Sequence, residues 1–381
     1  MRIGWADAAA GLGRGWAGLQ RRWLDLKVAG LGRRGLGLDL RANSLRWVDL
    51  VQGRDGQARL SGWGRLEVPE PVCDAAMAPS DAAVRGLQSW VQGSGLQGRT
   101  VAMGLPSAHV LLRRARFRSV LGGMGRLGAE ELAAYVEGEA AAWAPFPLEE
   151  LALDFAVLGP AGPADALLAP AGAGAAVDST ASADEVEVLM AAARQDRVRA
   201  RQAWAQAAGL KLAVLDTEAN AALLTLRAWR PPDGQLAPGE ALGMVDVRLH
   251  ELTLRVMAEG EIVFERSEAL GPGLDGSSGL QSLGRLLQHF NATQSARPLI
   301  GLAVAGDHAG APDQAQWLHS IARLAGVPAW WLDPFVHLAC TGPNPPAASP
   351  PLGRGAGARP APDEACAYAL AFGLALRSLS P

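Results

Sequence analysis

The sequence contains little cysteine and almost no lysine. Its 381 residues include only Cys73, Cys340 and Cys366, which are far apart and fit neither a CxxC motif nor a Cys/His metal-ligand spacing. Such sparse cysteine is typical of a reducing compartment and predicts no structural zinc. Lys27 and Lys211 are the only lysines, so arginine carries nearly all of the positive charge. Coding bias explains that preference adequately, and it predicts no particular function.

Long apolar runs, an excess of one charge and the common catalytic motifs are missing as well. The longest apolar run without a charge, residues 365–376, is shorter than the roughly 18 residues that a membrane span requires. The 35 basic and 38 acidic residues leave a net charge of −3, which argues against a nucleic-acid binder held by electrostatics. The glycine-rich segment 271–276 lacks the Lys-Ser/Thr that follows it in a P-loop. The histidines show no metal-binding spacing, so no metal site is predicted.

The first 34 residues carry apolar side chains at helical spacing among scattered charges. The charges interrupt any signal-peptide hydrophobic region, so we expect the chain to remain in the cytoplasm. One helical face would collect the apolar positions, which are Trp5, Leu12, Trp16, Leu19, Trp23 and Leu26. Such a face is typical of a helix at a membrane surface, but the glycines within 11–18 weaken it by roughly 1 kcal/mol each. Peripheral membrane association, partner docking and a frayed or internally packed extension all stay open.

Two parts of the chain open with the same succession of elements. Three short β-type runs separated by turn residues predict an antiparallel meander in each part. The runs lie at 36–40, 44–51 and 58–68 in the first part, and at 241–247, 252–258 and 261–269 in the second. Helix and strand patterns alternate after each meander, which indicates an internal duplication in architecture.

We therefore predict an α/β protein with two lobes. The predicted boundaries are an N-terminal extension at 1–34, a first lobe at 35–230 with an inserted subdomain at about 118–195, a linker at 231–240, a second lobe at 241–340, a Pro/Gly/Ala-rich loop at 341–362 and a C-terminal helix at 363–381 that returns to the first lobe.

The duplicated lobe, with an aspartate at the end of its first strand, resembles the actin-like ATPase fold. Shorter motifs are similar to those of the type IV pilus assembly protein PilM family, and they lie at 137–155, 188–194, 209–210, 215–219 and 371–378. The resemblance covers roughly residues 35–379. It is weak at 271–298, where the helical subdomain of the second lobe is expected to be shortened.

The resemblance implies an FtsA-related, actin-like protein at the cytoplasmic side of the inner membrane. It implies that ATP with Mg²⁺ binds between the lobes, and that a groove on the first lobe holds the N-terminal peptide of the inner-membrane protein PilN. Through PilN the protein would join PilO and PilP, and would serve pilus assembly in twitching motility, adhesion or DNA uptake (competence).

The first phosphate-binding turn of that family reads Asp-x-Gly, followed by a hydroxyl and a basic residue. Glycine suits such a turn because a longer side chain would fill the space of the phosphate. Here the turn keeps Asp39, Ser44 and Arg46, but Arg41 replaces the glycine.

The second and third nucleotide motifs depart from the family pattern in the same way, with a charged residue in place of a glycine. Asp246 is followed by Arg248 where glycine is expected, and Gly306 is followed by Asp307 in place of the second glycine of the adenosine-contacting turn. Arg41 and Arg248 would either fill the cleft as ion pairs with the aspartates, or swing outward and clamp phosphates. We predict a degenerate nucleotide site without ATP hydrolysis; binding without turnover and an active ATPase stay open.

An aromatic cluster around a double-proline corner is the candidate groove for the partner peptide. Its members are Trp143, Phe146, Leu153 and Phe155. An exposed cluster of this kind takes the hydrophobic side chains of an extended peptide. Ordinary packing between a helix and a strand is the alternative.

Two other functions compete with a pilus scaffold. An active actin-like ATPase, or a relative of the sugar kinases, would need small residues in both phosphate turns, and the arginines argue against it. The actin-like cytoplasmic part of a type II secretion component is disfavoured because that protein continues into a membrane span, which we do not find in this sequence.

Overall fold

The computed structural model describes residues 34–68, 80–118, 129–160, 185–232, 236–270, 276–307, 314–340 and 359–379. The N-terminal segment 1–33, and most of the predicted loop at 341–362, lie outside these ranges. The described residues form two compact units. The smaller unit lies within 108–199, and the larger unit combines 34–107 with 200–379.

Helices separate single strands or groups of two or three strands along the described chain. The strands are β1 Arg34–Leu40, β2 Ser44–Gln52, β3 Ala58–Glu67, β4 Thr100–Leu105, β5 Val110–Arg118, β6 Leu151–Pro160, β7 Glu185–Arg194, β8 Lys211–Thr217, β9 Ala241–Val247, β10 Glu251–Ala258, β11 Glu261–Ala269, β12 Leu299–Gly306, β13 Ala329–Trp331 and β14 Ala339–Cys340. The helices are α1 Asp81–Gly93, α2 Ala129–Trp143, α3 Gln195–Ala207, α4 Glu218–Ala228, α5 Gly276–Thr293, α6 Gln314–Ala325, α7 Pro362–Ala365 and α8 Ala369–Leu379.

The larger unit contains two sheets with the same internal order. The six-stranded sheet runs β14-β3-β2-β1-β4-β8, and the five-stranded sheet runs β11-β10-β9-β12-β13. In each sheet an antiparallel meander is extended by strands that pair in parallel with its first strand and then with one another. Apart from the short β14, which pairs with β3, the two orders correspond strand for strand. This correspondence confirms the predicted duplication.

Helices α4 and α8 share a hydrophobic core with strands from both sheets. Ala221 and Leu226 of α4 lie in one buried cluster with Leu370 and Leu374 of α8 and with Met244 of β9. Strands buried on both faces read as continuous apolar runs, and all seven residues of β9 are buried. The core therefore fixes the carboxyl end of β9 close to the amino end of α4.

A local capping arrangement begins α4. The hydroxyl of Thr217 accepts a hydrogen bond from Asn220 N at 3.0 Å, which satisfies one of the free donors of the first turn. Asp216 accepts hydrogen bonds from Thr217 N and from the side chain of Asn220, each at 2.7 Å. These bonds fix Glu218, the first residue of the helix, which is itself buried.

The smaller unit is a three-stranded antiparallel sheet in the order β5-β7-β6, with helix α2 packed against it. Leu132 and Val136 of α2 share a buried cluster with Phe117, Val188 and Met190 of the sheet. The alternating apolar positions of β7 supply one face to this core, as expected for a sheet covered on one side.

Across the described ranges, no helix combines the length and the apolar character that crossing a bilayer would need.

Candidate functional site

Two tight turns occupy equivalent positions in the two sheets of the larger unit. The first joins β1 to β2, and Arg41 N donates a hydrogen bond to the carbonyl oxygen of Ser44 at 2.9 Å. The second joins β9 to β10, and Arg248 N donates to the carbonyl oxygen of Glu251 at 2.8 Å. The same backbone bond therefore places an arginine in the same position of both turns.

Arg41 is enclosed by three carboxylates. Its Nε lies 2.8 Å from Asp39 Oδ2. Its Nη1 lies 3.5 Å from Asp246 Oδ1 and 3.6 Å from Asp307 Oδ2, and its side chain is 3% exposed. The guanidinium group therefore points from the six-stranded sheet toward the carboxylates of the five-stranded sheet.

Arg46 makes a second connection from the first turn. This residue of β2 stands opposite Asp39 of β1 in the register, and its side chain is buried. Its Nη2 donates a hydrogen bond to Asp307 Oδ1, and its Nη1 donates to the carbonyl oxygen of Ala367 at 3.4 Å. Asp307 thus accepts from Arg46 while it also lies close to Arg41.

Arg248 makes the corresponding connection in the opposite direction. Its Nε donates to Asp246 Oδ2 at 3.1 Å. Its two terminal nitrogens form a bidentate pair with Glu218, at 3.2 Å to Oε1 and 2.6 Å to Oε2. Two parallel hydrogen bonds of this kind are among the stronger protein ion pairs.

A second arginine of the five-stranded sheet lies beside Arg248. Arg255 of β10 donates from Nε to Glu265 Oε1 of β11 at 2.7 Å. Its terminal nitrogens lie 3.5 Å from Glu218 Oε2 and 3.6 Å from Asp246 Oδ2. Glu265 also accepts a hydrogen bond from the hydroxyl of Ser107 at 3.0 Å.

Gly306 and Asp307 close the site at the end of β12. Gly306 has a φ of 103°, and a Cβ at this position would lie 2.6 Å from Val247 N. Glycine is required here because both the backbone angle and the available space exclude a side chain. Asp307 N donates to the carbonyl oxygen of Val247 at 2.7 Å, which fixes the carboxylate beside β9.

These side chains form one buried charge cluster with four guanidinium groups and five carboxylates. We use that name for Asp39, Arg41, Arg46, Glu218, Asp246, Arg248, Arg255, Glu265 and Asp307. Of the two arrangements that the sequence leaves open, the structure has the one in which Arg41 and Arg248 pair with Asp39 and Asp246. Ser44, also named from the sequence, is buried at the start of β2 and contributes its carbonyl to the turn.

The charges of the cluster shift the pKa values of Asp246, Arg41 and Asp307 toward the ionised forms. Burial alone would raise the pKa of Asp246, but Arg41, Arg248 and Arg255 outweigh it and hold that pKa well below its ordinary value. Burial would likewise lower the pKa of Arg41, yet the neighbouring carboxylates, Asp39 first among them, raise it above the usual range. The pKa of Asp307 is lowered because Arg41 and Arg46 outweigh its burial.

The cluster fits a nucleoside triphosphate poorly. Buried terminal nitrogens of Arg41 that make no hydrogen bond within the described residues are a feature that would suit a phosphate. Against this, the five carboxylates exceed the four guanidinium groups, so a polyanion would have to displace carboxylates from their partners. The side chains of Arg41 and Arg248 also extend from the turn positions at which a phosphate needs small residues.

The four residues of the predicted peptide groove lie in the smaller unit, in different surroundings. Trp143 and Phe155 are half-buried and pack against the hydrophobic cluster of that unit. Leu153 is half-buried on β6, opposite Ala192 in the register. Phe146 is 37% exposed at the proline corner between α2 and β6. Only Phe146 of the four is thus an exposed aromatic side chain.

Arginines cover the aromatic rings at this corner. The guanidinium carbon of Arg194 lies 5.2 Å from the centre of the Phe146 ring, and that of Arg113 lies 5.9 Å from the Trp143 ring. Both distances are within the range of cation–π attraction. Arg194 also bonds Asp196 at 2.9 Å, which limits its freedom to move away.

Sequence reasoning did not identify Glu218, Arg255 and Glu265 as members of the charged site. Glu218 lies in the segment 215–219 that resembles the PilM family, but nothing in that segment indicates a role in the charged site. Arg255 interrupts the apolar residues of β10, and a lone arginine within a buried strand is a signal for a buried partner.

Comparison with known proteins gives one family and several similar folds. The family model described as type IV pilus assembly protein PilM matches residues 37–171 and 175–277. The solved PilM-PilN type IV pilus biogenesis complex is similar with a TM-score of 0.56 and 19% sequence identity, over 93% of this chain and 100% of that chain.

Two further structures are similar at lower scores. The ethanolamine utilization protein EutJ from Carboxydothermus hydrogenoformans has a TM-score of 0.41 and 10% identity, over 94% of this chain and 96% of its own. The cytoplasmic domain of EpsL, from the type II secretion system of Vibrio cholerae, has a TM-score of 0.35 and 13% identity, over 78% of this chain and 97% of its own. The fold is the actin-like fold that the sequence predicts.

Proposed function

Because the chain belongs to the type IV pilus assembly protein PilM family, we propose that it is a scaffold of pilus assembly that binds the N-terminal peptide of a PilN-type inner-membrane protein. The family match over more than half of the chain is the observation that carries this proposal. Similarity to a protein solved in complex with PilN supports it. The partner would hold the scaffold at the cytoplasmic face of the inner membrane and link it indirectly to PilO and PilP.

The proposal includes a degenerate nucleotide site. The charged side chains at the three motif positions are paired within the protein: Asp39 with Arg41, Asp246 with Arg248, and Asp307 with Arg46. An active actin-like ATPase is the alternative, and it would require this cluster to open around ATP and Mg²⁺. We assign the protein no catalytic residue.

The peptide groove is tested at its exposed aromatic residue. We expect Phe146→Ala to weaken binding of a fluorescent PilN-type N-terminal peptide by about tenfold, because the variant removes a ring-sized apolar contact and the stacking surface of Arg194. Fluorescence anisotropy with the full chain measures the change directly.

A matched control is Leu324→Ala, which removes an exposed apolar side chain from α6 of the larger unit. The control should bind the peptide as the unmodified protein does. Equal affinity of Phe146→Ala and the unmodified protein, with both folded, would place the groove elsewhere. Failure of the unmodified protein to bind any such peptide would contradict the proposed partner.

The nucleotide site is tested by isothermal titration with Mg-ATP. We expect no binding at submillimolar nucleotide, because the polyanion would have to break the pairs of Arg41 and Arg248 with carboxylates that are themselves buried. A phosphate-release assay is expected to stay at the buffer background. Submillimolar affinity would overturn the degenerate-site proposal without touching the proposed peptide partner.

A further inference from the structure

The arginines of the buried charge cluster cross between the two sheets in both directions. Arg41 and Arg46 belong to the six-stranded sheet and reach Asp246 and Asp307 of the five-stranded side. Arg248, in the turn between β9 and β10 of the five-stranded sheet, reaches Glu218 directly after β8 of the six-stranded sheet. Each sheet therefore supplies both cations and anions to the other.

We propose that this cluster is a built-in clamp that keeps the cleft of this actin-like fold closed without a nucleotide. A ligand between two lobes favours the closed state by contacting both of them. Here the carboxylates of Asp307 and Glu218 occupy the role of the ligand, because they satisfy arginines that come from the opposite sheet. This inference rests on the proposed absence of bound nucleotide, and it assigns the closing role of the nucleotide to the carboxylates of Asp307 and Glu218.

The burial of the clamp makes opening costly. Opening the cleft would separate Arg46 from Asp307 and Arg248 from Glu218 at the same time. Apart from Asp307, whose side chain is 27% exposed, these side chains are buried or nearly so. Opening would therefore lose a charge-assisted hydrogen bond of Arg46 and both hydrogen bonds of the bidentate Arg248 pair in one step. A closed cleft is therefore the state in which all four groups keep their partners.

Asp307 is the best point at which to test the clamp. Its carboxylate accepts a hydrogen bond from Arg46 and lies 3.6 Å from Arg41. One carboxylate therefore pairs with both arginines that come from the six-stranded sheet. Its partial exposure allows water to reach the site in a variant, so that the fold should survive. Asp307→Asn keeps the size of the side chain and removes its charge.

The experiment is hydrogen exchange followed by mass spectrometry on the full chain, for Arg46→Met, Asp307→Asn and the double variant. We expect each single variant to accelerate exchange in peptides covering 36–50 and 241–256 by about tenfold. The double variant should be no faster than Asp307→Asn alone, because Arg46 reaches the five-stranded side through that same carboxylate. Asp307→Glu should restore most of the protection.

The matched control pair is Arg59 with Asp55, which is 2.7 Å apart but exposed. Arg59→Met and Asp55→Asn should change exchange in the same peptides by less than about threefold, as expected for a surface pair. Additive effects of Arg46→Met and Asp307→Asn, or unchanged exchange, would overturn the clamp.

The two proposals fail in different ways. If Mg-ATP binds the unmodified protein and further slows exchange at the two turns, the nucleotide proposal and the clamp both fail. If Mg-ATP does not bind and the cleft peptides still exchange as fast as in Asp307→Asn, the clamp alone fails.

Discussion

An Asp246→Ala variant is expected to lose about 3–5 kcal/mol of the free energy of unfolding, the range measured when one partner of a buried ion pair is removed. Asp246 is fully buried and lies within 3.1–3.6 Å of Arg41, Arg248 and Arg255. Its removal takes a carboxylate partner from each of these three guanidinium groups. Urea unfolding followed by circular dichroism measures the loss.

One variant separates the charge of Asp246 from its volume, and a second serves as a surface control. Asp246→Asn keeps the shape and should show most of the loss, because the lost charge rather than a cavity is responsible. Asp55→Ala removes the partner of Arg59 on the surface and should cost less than about 1 kcal/mol. A loss for Asp246→Ala no greater than that for Asp55→Ala would mean that the cluster does not stabilise the protein.

The local part of the cluster could be predicted from the sequence, and the long-range part could not. Asp39 and Arg41 are two residues apart in a turn, so their pairing was one of two stated possibilities. Arg46 meets Asp307 across 261 positions of the chain, and Arg248 meets Glu218 across 30. Contacts of that kind depend on how two sheets meet, which no local pattern specifies.

The strands illustrate the same limit. The meanders β1-β2-β3 and β9-β10-β11 follow from short apolar runs separated by turn residues, and the structure confirms both. Strand β14 has two residues and pairs with β3 at its edge. Its pairing was not predicted, because two residues are too few to show an alternating pattern.

Residue type alone did not separate the candidate groove from the hydrophobic core. Trp143, Phe146 and Phe155 are all large aromatic residues near the same proline corner. The structure packs Trp143 and Phe155 against the core of the smaller unit and leaves Phe146 exposed. Contact between Phe146 and a partner peptide stays a prediction. Because its ring is exposed, Phe146 is the residue at which the groove is best tested.

Two glycines in family-like segments differ in the space around them. Gly138 lies on the exposed side of α2, and a Cβ there would meet nothing within 4 Å. Gly373 lies in α8, and a Cβ there would come within 2.6 Å of the carbonyl carbon of Ala221 and 2.8 Å of Thr225 Oγ1 in α4. Both glycines lie in segments that resemble the family. Only Gly373 is required by packing, because α8 lies directly against α4 there.

Gly373→Ala is therefore expected to lower the free energy of unfolding by about 3 kcal/mol, at the upper end of the range for overpacked cores. The added methyl group meets backbone of α4, which cannot rotate away, so the two helices must move apart. Thr225 Oγ1 lies 2.6 Å from the carbonyl oxygen of Ala369 in α8, and that hydrogen bond would be stretched as well. Gly138→Ala is the matched control and should raise stability by up to about 1 kcal/mol, since alanine favours a helix interior where space permits. Equal effects of the two substitutions in urea unfolding would show that α8 does not pack on α4 as closely as the structure has it.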